Sequence, residues 1–164
     1  LSVISKATPK IADYPFTTLS PNLGVVQLTD HRTFVVGDIP RIIEGASSGR
    51  GLGFQFLRHI GRTRILAFLI PIDSLDWQVD FDQLRHEISV YSPELAQKPY
   101  CVVFTKLDLL GEEYVPPIEA PEAFGTYAIS AAARTGLDSL MAGWWTGLLR
   151  LRVEGERRED AAFP

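Results

Sequence analysis

The sequence is poor in cysteine and carries little excess charge of either sign, with 20 acidic and 16 basic side chains among its 164 residues. The single cysteine, Cys101, excludes an internal disulfide framework, and its place in an apolar run predicts a buried structural thiol. The net charge of −4 argues against indiscriminate binding to nucleic acid, although a local basic patch remains compatible with it. These features favour the cytosol, and we expect a cytoplasmic protein.

Long apolar runs are also lacking. No stretch is long enough to span a bilayer, and no basic segment followed by an apolar one opens the sequence. We therefore expect a soluble protein without a membrane partner. The length corresponds to one domain, and 46% of the residues are hydrophobic, which is enough for a single core.

Strand-like and helix-like segments alternate along the chain, which predicts an α/β fold with a mostly parallel sheet covered by helices. Strands are expected at residues 24–28, 33–36, 65–72, 100–104 and 126–129. Of these, 65–72 and 100–104 read as strands buried on both faces. Helices are expected over 1–6, 51–64, 77–91 and 137–153, and loops over 9–23 and 111–125. A charged, disordered tail is expected over 154–164.

Oxygen-bearing side chains accompany the first two strands. Thr17 and Thr18 lie in the loop before them, and Asp38 follows the second. Because Mg²⁺ takes hard oxygen ligands, often only one or two from protein, these side chains suit a magnesium-phosphate site. Alternatively, the threonines bond the backbone of a turn and Asp38 caps the turn that follows it.

The chain resembles the switch I and switch II region of the Obg family of GTPases in the run ADYPFTTL-PNLGVV, then D-IP, then IEGA–G-GLG-QFLRHI–RTR. YSPELA-KP, TKLD and SAA follow in the family's order, so that the similarity covers essentially residues 1–149. Each motif alone is weak, but the ordered series is specific. The resemblance implies a three-layer P-loop NTPase fold, with a partial Ras-like G domain over 1–153.

The resemblance also implies a function. A protein of this family binds GTP or GDP with Mg²⁺, hydrolyses GTP slowly to GDP and phosphate, and couples this to ribosome assembly. Its partners would be guanine nucleotide and the large ribosomal subunit or ribosomal RNA, and we expect a monomer. Thr18 and Asp38 match the magnesium-binding residues, and no side chain is a convincing general base. The residues expected to line the nucleotide site are Phe16, Thr17, Thr18, Leu19, Asp38, Ile39, Pro40, Arg41, Thr105, Lys106, Leu107, Asp108, Ser130, Ala131 and Ala132.

The segment from Thr105 to Asp108 is the expected base-reading element. Guanine presents a ring N–H beside an exocyclic amine, and the Asp108 carboxylate can accept from both while the Lys106 stem lies over the purine face. A buried carboxylate left unpaired disfavours a base without those donors. Small residues after Ser130 let a backbone N–H approach the guanine carbonyl oxygen. The alternative is a common surface turn after a strand.

The sequence departs from the family pattern in three places. It contains no phosphate-binding loop G-x-x-x-x-G-K-[ST], and so lacks the lysine and the backbone N–H groups that hold the phosphates. We therefore expect an amino-truncated fragment of a longer protein, without the family's first, central strand. Arg41 stands at the glycine of D-x-x-G, and Thr105 stands at the base-reading asparagine.

These departures leave a second function open, in which a catalytically inactive G-like domain acts as a protein or ribosome interaction module. A third possibility, an unrelated flavodoxin-like domain, requires the ordered motifs to arise by chance. The basic cluster formed by Arg58, His59, Arg62 and Arg64 is either a solvated helix face or a contact with ribosomal RNA.

Overall fold

The computed structural model of the protein describes residues 2–5, 10–11, 22–38, 61–110 and 117–162. By its internal contacts the chain divides into two units, Leu1–Thr63 with Asp82–Gln97 and Arg64–Phe81 with Lys98–Pro164. Each unit contains one three-stranded sheet. The α/β class expected from the sequence is confirmed, whereas the helix expected over 51–64 lies almost entirely outside the described residues.

The first sheet is antiparallel and consists of β1 (Lys10–Ile11), β2 (Asn22–Gln27) and β3 (Thr33–Gly37), in that order. β2 and β3 form a hairpin, whose turn places His31 at a φ of 68°. Val26 is fully buried, whereas Val25 pairs with Val35 on the exposed face. This alternation is typical of a strand with one covered face. β1 falls within the segment expected to be a loop.

The second sheet is parallel and consists of β4 (Leu66–Pro71), β5 (Tyr100–Thr105) and β6 (Thr126–Ala128), with β5 in the centre. The first five residues of β5 are buried, as expected of a strand covered on both faces. In β4 the apolar run was expected to be buried in the same way, but Leu69 is 53% exposed. β4 is an edge strand of this sheet, and only its face with Leu66, Phe68 and Ile70 is buried.

Helix α1 (Trp77–Tyr91) has the bounds expected from the sequence. Its first two turns supply aromatic rings to the core of the second sheet. Phe81 meets Phe68 edge-on at a centroid distance of 5.6 Å, and Trp77 meets Phe104 at 6.0 Å. Each such pair stabilises the fold by about 0.5–1.5 kcal/mol beyond its burial. Asp76 begins the helix by accepting the Val79 N–H over 3.0 Å.

Two short helices were not expected from the sequence. Helix α2 (Pro93–Ala96) begins at Ser92, whose hydroxyl accepts the Leu95 N–H over 3.2 Å. A serine N-cap followed by proline is a regular helix start, but four residues are too few to show a hydrophobic period. The 3₁₀ helix η1 (Leu107–Leu109) follows β5 directly.

Helix α3 (Leu137–Ala162) packs against the other face of the second sheet through Leu140 and Trp144, which are both buried. The Trp144 Nε1–H donates to the Cys101 Sγ over 3.3 Å. Gly143 lets the helix approach closely, because a Cβ there would lie 2.0 Å from the Tyr127 hydroxyl oxygen. The helix runs past residue 153, its expected end, because residues 154–162 are mostly good helix formers.

At the amino terminus a helix was expected over residues 1–6, but the described part of that segment forms a turn at residues 2–4. Among the helices that the structure describes, none has the length and apolar character needed to cross a membrane.

Gly136 provides a first test of this packing. Its φ is 73°, and an added Cβ would lie 2.2 Å from the Ala128 carbonyl oxygen. We expect Gly136→Ala to lower the free energy of unfolding by about 2–4 kcal/mol, since it combines a left-handed backbone with a steric clash. The matched control is Gly155→Ala, where nothing lies within 4 Å and a gain of up to about 1 kcal/mol is expected. Equal urea midpoints for the two variants would contradict the assignment.

The reactivity of Cys101 tests whether its thiol is buried as the structure shows. Burial raises its pKa to about 11, so little of the nucleophilic thiolate is present near neutral pH. We expect the folded protein to react with a disulfide reagent near pH 8 at least about 100-fold more slowly than the urea-unfolded chain, in which the thiol regains its ordinary pKa. Because the sequence has one cysteine, the absorbance of the released thiol reports this residue alone. Comparable rates in the two states would show that the thiol is accessible.

Candidate functional site

Polar residues lie where each strand of the parallel sheet ends, and backbone hydrogen bonds tie these ends together. The Ile72 N–H after β4 donates to the Thr105 carbonyl over 3.0 Å. The Leu107 N–H after β5 donates over 3.0 Å to the carbonyl of Ile129, which follows β6. The three carboxyl ends therefore form one edge, which is where parallel α/β sheets bind ligands.

Asp108 and Ser130 meet at this edge. The Ser130 hydroxyl donates to the Asp108 Oδ1 and accepts the Ala133 N–H over 2.9 Å. Ser130 is fully buried, whereas Asp108 is exposed. This relay, from the Ala133 N–H through Ser130 to Asp108, satisfies the buried hydroxyl and fixes the orientation of the carboxylate. An oriented and exposed carboxylate can accept two neighbouring N–H groups of a ligand.

The loop after Ser130 is closed on itself. Ser130 and Thr135 exchange two backbone hydrogen bonds of 3.1 Å, and Arg134 takes a φ of 56° at the turn. Ala131 and Ala132 lie exposed inside this loop.

Lys106 stands between β5 and η1 with φ 62° and ψ 34°, a left-handed conformation that costs a residue with a Cβ roughly 1–2 kcal/mol. Its Nζ lies 2.9 and 3.1 Å from the two carboxylate oxygens of Asp73. The hydrogen bond from Lys106, assisted by its positive charge, holds the pKa of Asp73 below its ordinary value. Both side chains are about half exposed, at 53% and 46%.

Thr105 and Leu107, the other expected members of the TKLD element, are less accessible than Lys106 and Asp108. Thr105 is half-buried, and its carbonyl accepts the Ile72 N–H. Leu107 is buried, and its N–H is bonded to Ile129. Lys106 and Asp108 thus lie at the surface, whereas the buried Leu107 anchors η1.

The expected magnesium site is only partly described. Asp38 lies exposed directly after β3, at the end of a strand as the sequence predicted. Phe16, Thr17, Thr18, Leu19, Ile39, Pro40 and Arg41 lie outside the described residues. Within the part of the chain that is described, no group of three or more His, Cys, Asp or Glu side chains could hold a metal ion.

Asp73 lies at this edge through its contact with Lys106 but is not among the residues expected from the sequence. The signal was present, because an aspartate directly follows the apolar run 65–72 in the same way that Asp38 follows 33–37. Its pairing with Lys106 joins residues 33 positions apart, and no local pattern indicates such a contact.

Comparison with known proteins finds GTPases both among family models and among similar curated proteins. A family model described as "50S ribosome-binding GTPase" matches residues 1–106. Similar curated proteins include the GTPase Obg of Chlorobium phaeovibrioides, 48% identical over 98% of this chain and 47% of that protein. The GTPase Obg of Chlorobium chlorochromatii is 51% identical over 88% of this chain and 43% of its own length. The GTPase Obg of Bacteroides fragilis is 48% identical over 90% of this chain and 39% of its own length. The chain therefore spans less than half the length of these relatives.

The relay through Ser130 can be tested without a ligand. Ser130→Ala removes the partner of Asp108 and leaves the Ala133 N–H unsatisfied. We expect a loss of about 1–3 kcal/mol in the free energy of unfolding, the usual cost of an unpaired buried polar group. Ser139→Ala, at an exposed position of α3, is the matched control and should stay within about 0.5 kcal/mol of the parent. Urea denaturation measures both, and a neutral Ser130→Ala would argue against the relay.

Proposed function

The chain belongs to the Obg family of GTPases, and from this membership we propose that it binds GTP and GDP, hydrolyses GTP slowly, and contributes its parallel sheet to guanine recognition. The observation that carries the proposal is the relay from the Ala133 N–H through Ser130 to Asp108, with Lys106 beside it. The relay holds one exposed carboxylate in a fixed orientation before any ligand arrives.

Guanine fits this arrangement chemically. Its N1–H and its 2-amino group point in one direction, so a single Asp108 carboxylate can accept both hydrogen bonds. The Lys106 stem supplies an apolar surface for the purine ring, and a backbone N–H of Ala131 or Ala132 can reach the carbonyl oxygen O6. Adenine offers neither the ring N–H nor the 2-amino group, and would leave the carboxylate unpaired at a cost of about 1–3 kcal/mol.

We further propose that Mg²⁺ is the cofactor, held by Thr18 and Asp38. A hydroxyl and a carboxylate are hard oxygen donors of the kind that Mg²⁺ prefers, and Asp38 lies exposed at the end of a strand. The ion would neutralise charge on the phosphates. With no convincing general base in the sequence, hydrolysis in this proposal depends on positioning water and phosphate. Phe16, Thr17, Leu19, Ile39, Pro40 and Arg41 would line the phosphate side.

The proposed partner is the large ribosomal subunit, to which the chain would dock as a cytoplasmic monomer during ribosome assembly. The description of the matching family model names 50S ribosome binding, and this supports the choice. Arg62 and Arg64 are exposed and offer positive charge to RNA phosphates, together with the neighbouring Arg58 and His59 in the sequence.

A second candidate function is favoured by two residues. Thr105 replaces the base-reading asparagine, and Arg41 replaces the glycine of D-x-x-G. A domain altered in this way would act as an interaction module on the ribosome or another protein without turning over nucleotide.

Asp108→Asn tests the guanine proposal. The asparagine amide offers one acceptor and one donor, which match the N1–H and the O2 of xanthine. We expect GDP binding to weaken by about 10–100-fold and xanthosine diphosphate to become the preferred ligand, because the mutation leaves one guanine donor facing another. Fluorescent-nucleotide titration with Mg²⁺ measures both, on this chain and on the longest reading frame that contains it.

The control is Asp138→Asn, an exposed aspartate on α3, which should leave the preference for GDP unchanged. Release of phosphate from GTP by the same proteins measures the proposed hydrolysis. The interaction module is the correct function if two results are found together. Neither this chain nor the longest reading frame that contains it binds guanine nucleotide, and the longer protein still sediments with large ribosomal subunits.

A further inference from the structure

Asp73 is attached to a rigid part of the fold. Its neighbour Ile72 is buried and bonded through its N–H to the Thr105 carbonyl. The Ile72 carbonyl accepts the Trp77 Nε1–H over 3.1 Å, and the Ser74 N–H closes the turn onto the Pro71 carbonyl over 3.1 Å. Because the backbone is bonded on both sides of Asp73, this residue is a fixed point at the end of β4.

Lys106 stands at the end of the adjacent strand and is held by this fixed point. β4 and β5 are paired in register up to Pro71 and Thr105, so the residues that follow them leave the sheet side by side. The Lys106 ammonium contacts both Asp73 oxygens, and its left-handed backbone directs the side chain differently from a continuing strand. Backbone strain of this kind is typical of functional sites.

Stability does not explain the pair. An ion pair between half-exposed side chains contributes only about 0–1 kcal/mol, and it fixes a long, flexible side chain at an entropic cost. What the contact does provide is one orientation for the four methylene groups of Lys106.

We propose that Asp73 is a positioning residue for guanine recognition: its carboxylate anchors the Lys106 ammonium at the end of β4, so that the lysine stem forms a preformed surface for the purine ring. This inference rests on the proposed guanine site. It assigns to the β4 end a role in base binding, in addition to the β5 and β6 ends that carry Asp108 and Ser130.

A double-mutant cycle tests the inference by GDP titration. The parent protein is the longest reading frame that contains this chain, and it is compared with its Asp73→Asn, Lys106→Met and double variants. Asp73→Asn keeps the size of the side chain but removes its charge, and should weaken GDP binding about fivefold. Lys106→Met keeps an apolar stem without the ammonium. In the Lys106→Met background, Asp73→Asn should change GDP binding by less than about twofold, because the ammonium that Asp73 contacts is no longer present.

Two further variants separate positioning from a structural role. Asp73→Glu keeps the charge and should recover part of the lost affinity. Asp30→Asn breaks the ion pair between Asp30 and Arg32 at the β2–β3 turn and is the matched control, with GDP affinity unchanged. The unfolding midpoints of Asp73→Asn and Asp30→Asn should agree, since each variant loses one surface ion pair.

Additive effects of the two mutations would overturn the inference, and so would an unchanged or tighter affinity in Asp73→Asn. Tighter binding would mean that Asp73 competes with the base for Lys106. A parent protein that fails to bind GDP overturns the proposed function and this inference with it. A parent that binds GDP while Asp73→Asn binds equally well overturns the inference alone.

Discussion

The burial of β5 on both faces is the constraint on which the rest of the second unit depends. Trp77 contacts Phe104 on one face, and Trp144 donates to Cys101 on the other. A strand enclosed in this way cannot shift by one residue without exchanging its two faces, so its register with β4 and β6 is fixed. Because the register is fixed, the residues that leave the carboxyl ends of the three strands are fixed too.

Asp108 and Lys106, at the carboxyl ends of the strands, are held in place by contacts of different strength. Asp108 is held by a fully buried hydroxyl that is itself bonded to a backbone N–H, so the carboxylate has little freedom. Within the described residues, the Lys106 ammonium is held by a half-exposed ion pair with Asp73. The first arrangement suits a group that must distinguish one hydrogen-bonding pattern from another. The second suits a surface that only has to lie beside an aromatic ring, where small displacements cost little.

The sequence predicted the segments whose signal is local. The period of α1 is complete within 15 residues, and its bounds are those expected. The apolar run 100–104 identified β5 in the same way. The TKLD and SAA elements lie at the carboxyl ends of β5 and β6, as their positions after apolar runs predicted. Their assignment to guanine stays a prediction, and so does magnesium binding by Thr18 and Asp38.

What the sequence did not predict depends on contacts between distant segments. β1 has two residues and exists only through its pairing with β2. Leu69 is 53% exposed, and an apolar run does not reveal which face of β4 is covered. The contact between Asp73 and Lys106 likewise depends on the pairing of β4 with β5.

These observations bear on the substitution of threonine for asparagine at position 105. Thr105 is half-buried and contributes its carbonyl to the Ile72 N–H, a bond that any residue would make. The side chains that face the proposed base come from Lys106 and Asp108, and their supports come from Asp73 and Ser130 on the neighbouring strand ends. In the proposed site, Asp108 and Lys106 would therefore still contact guanine without the asparagine. Affinity for the whole nucleotide is a separate matter, because the N–H groups and the lysine of a phosphate-binding loop would supply it.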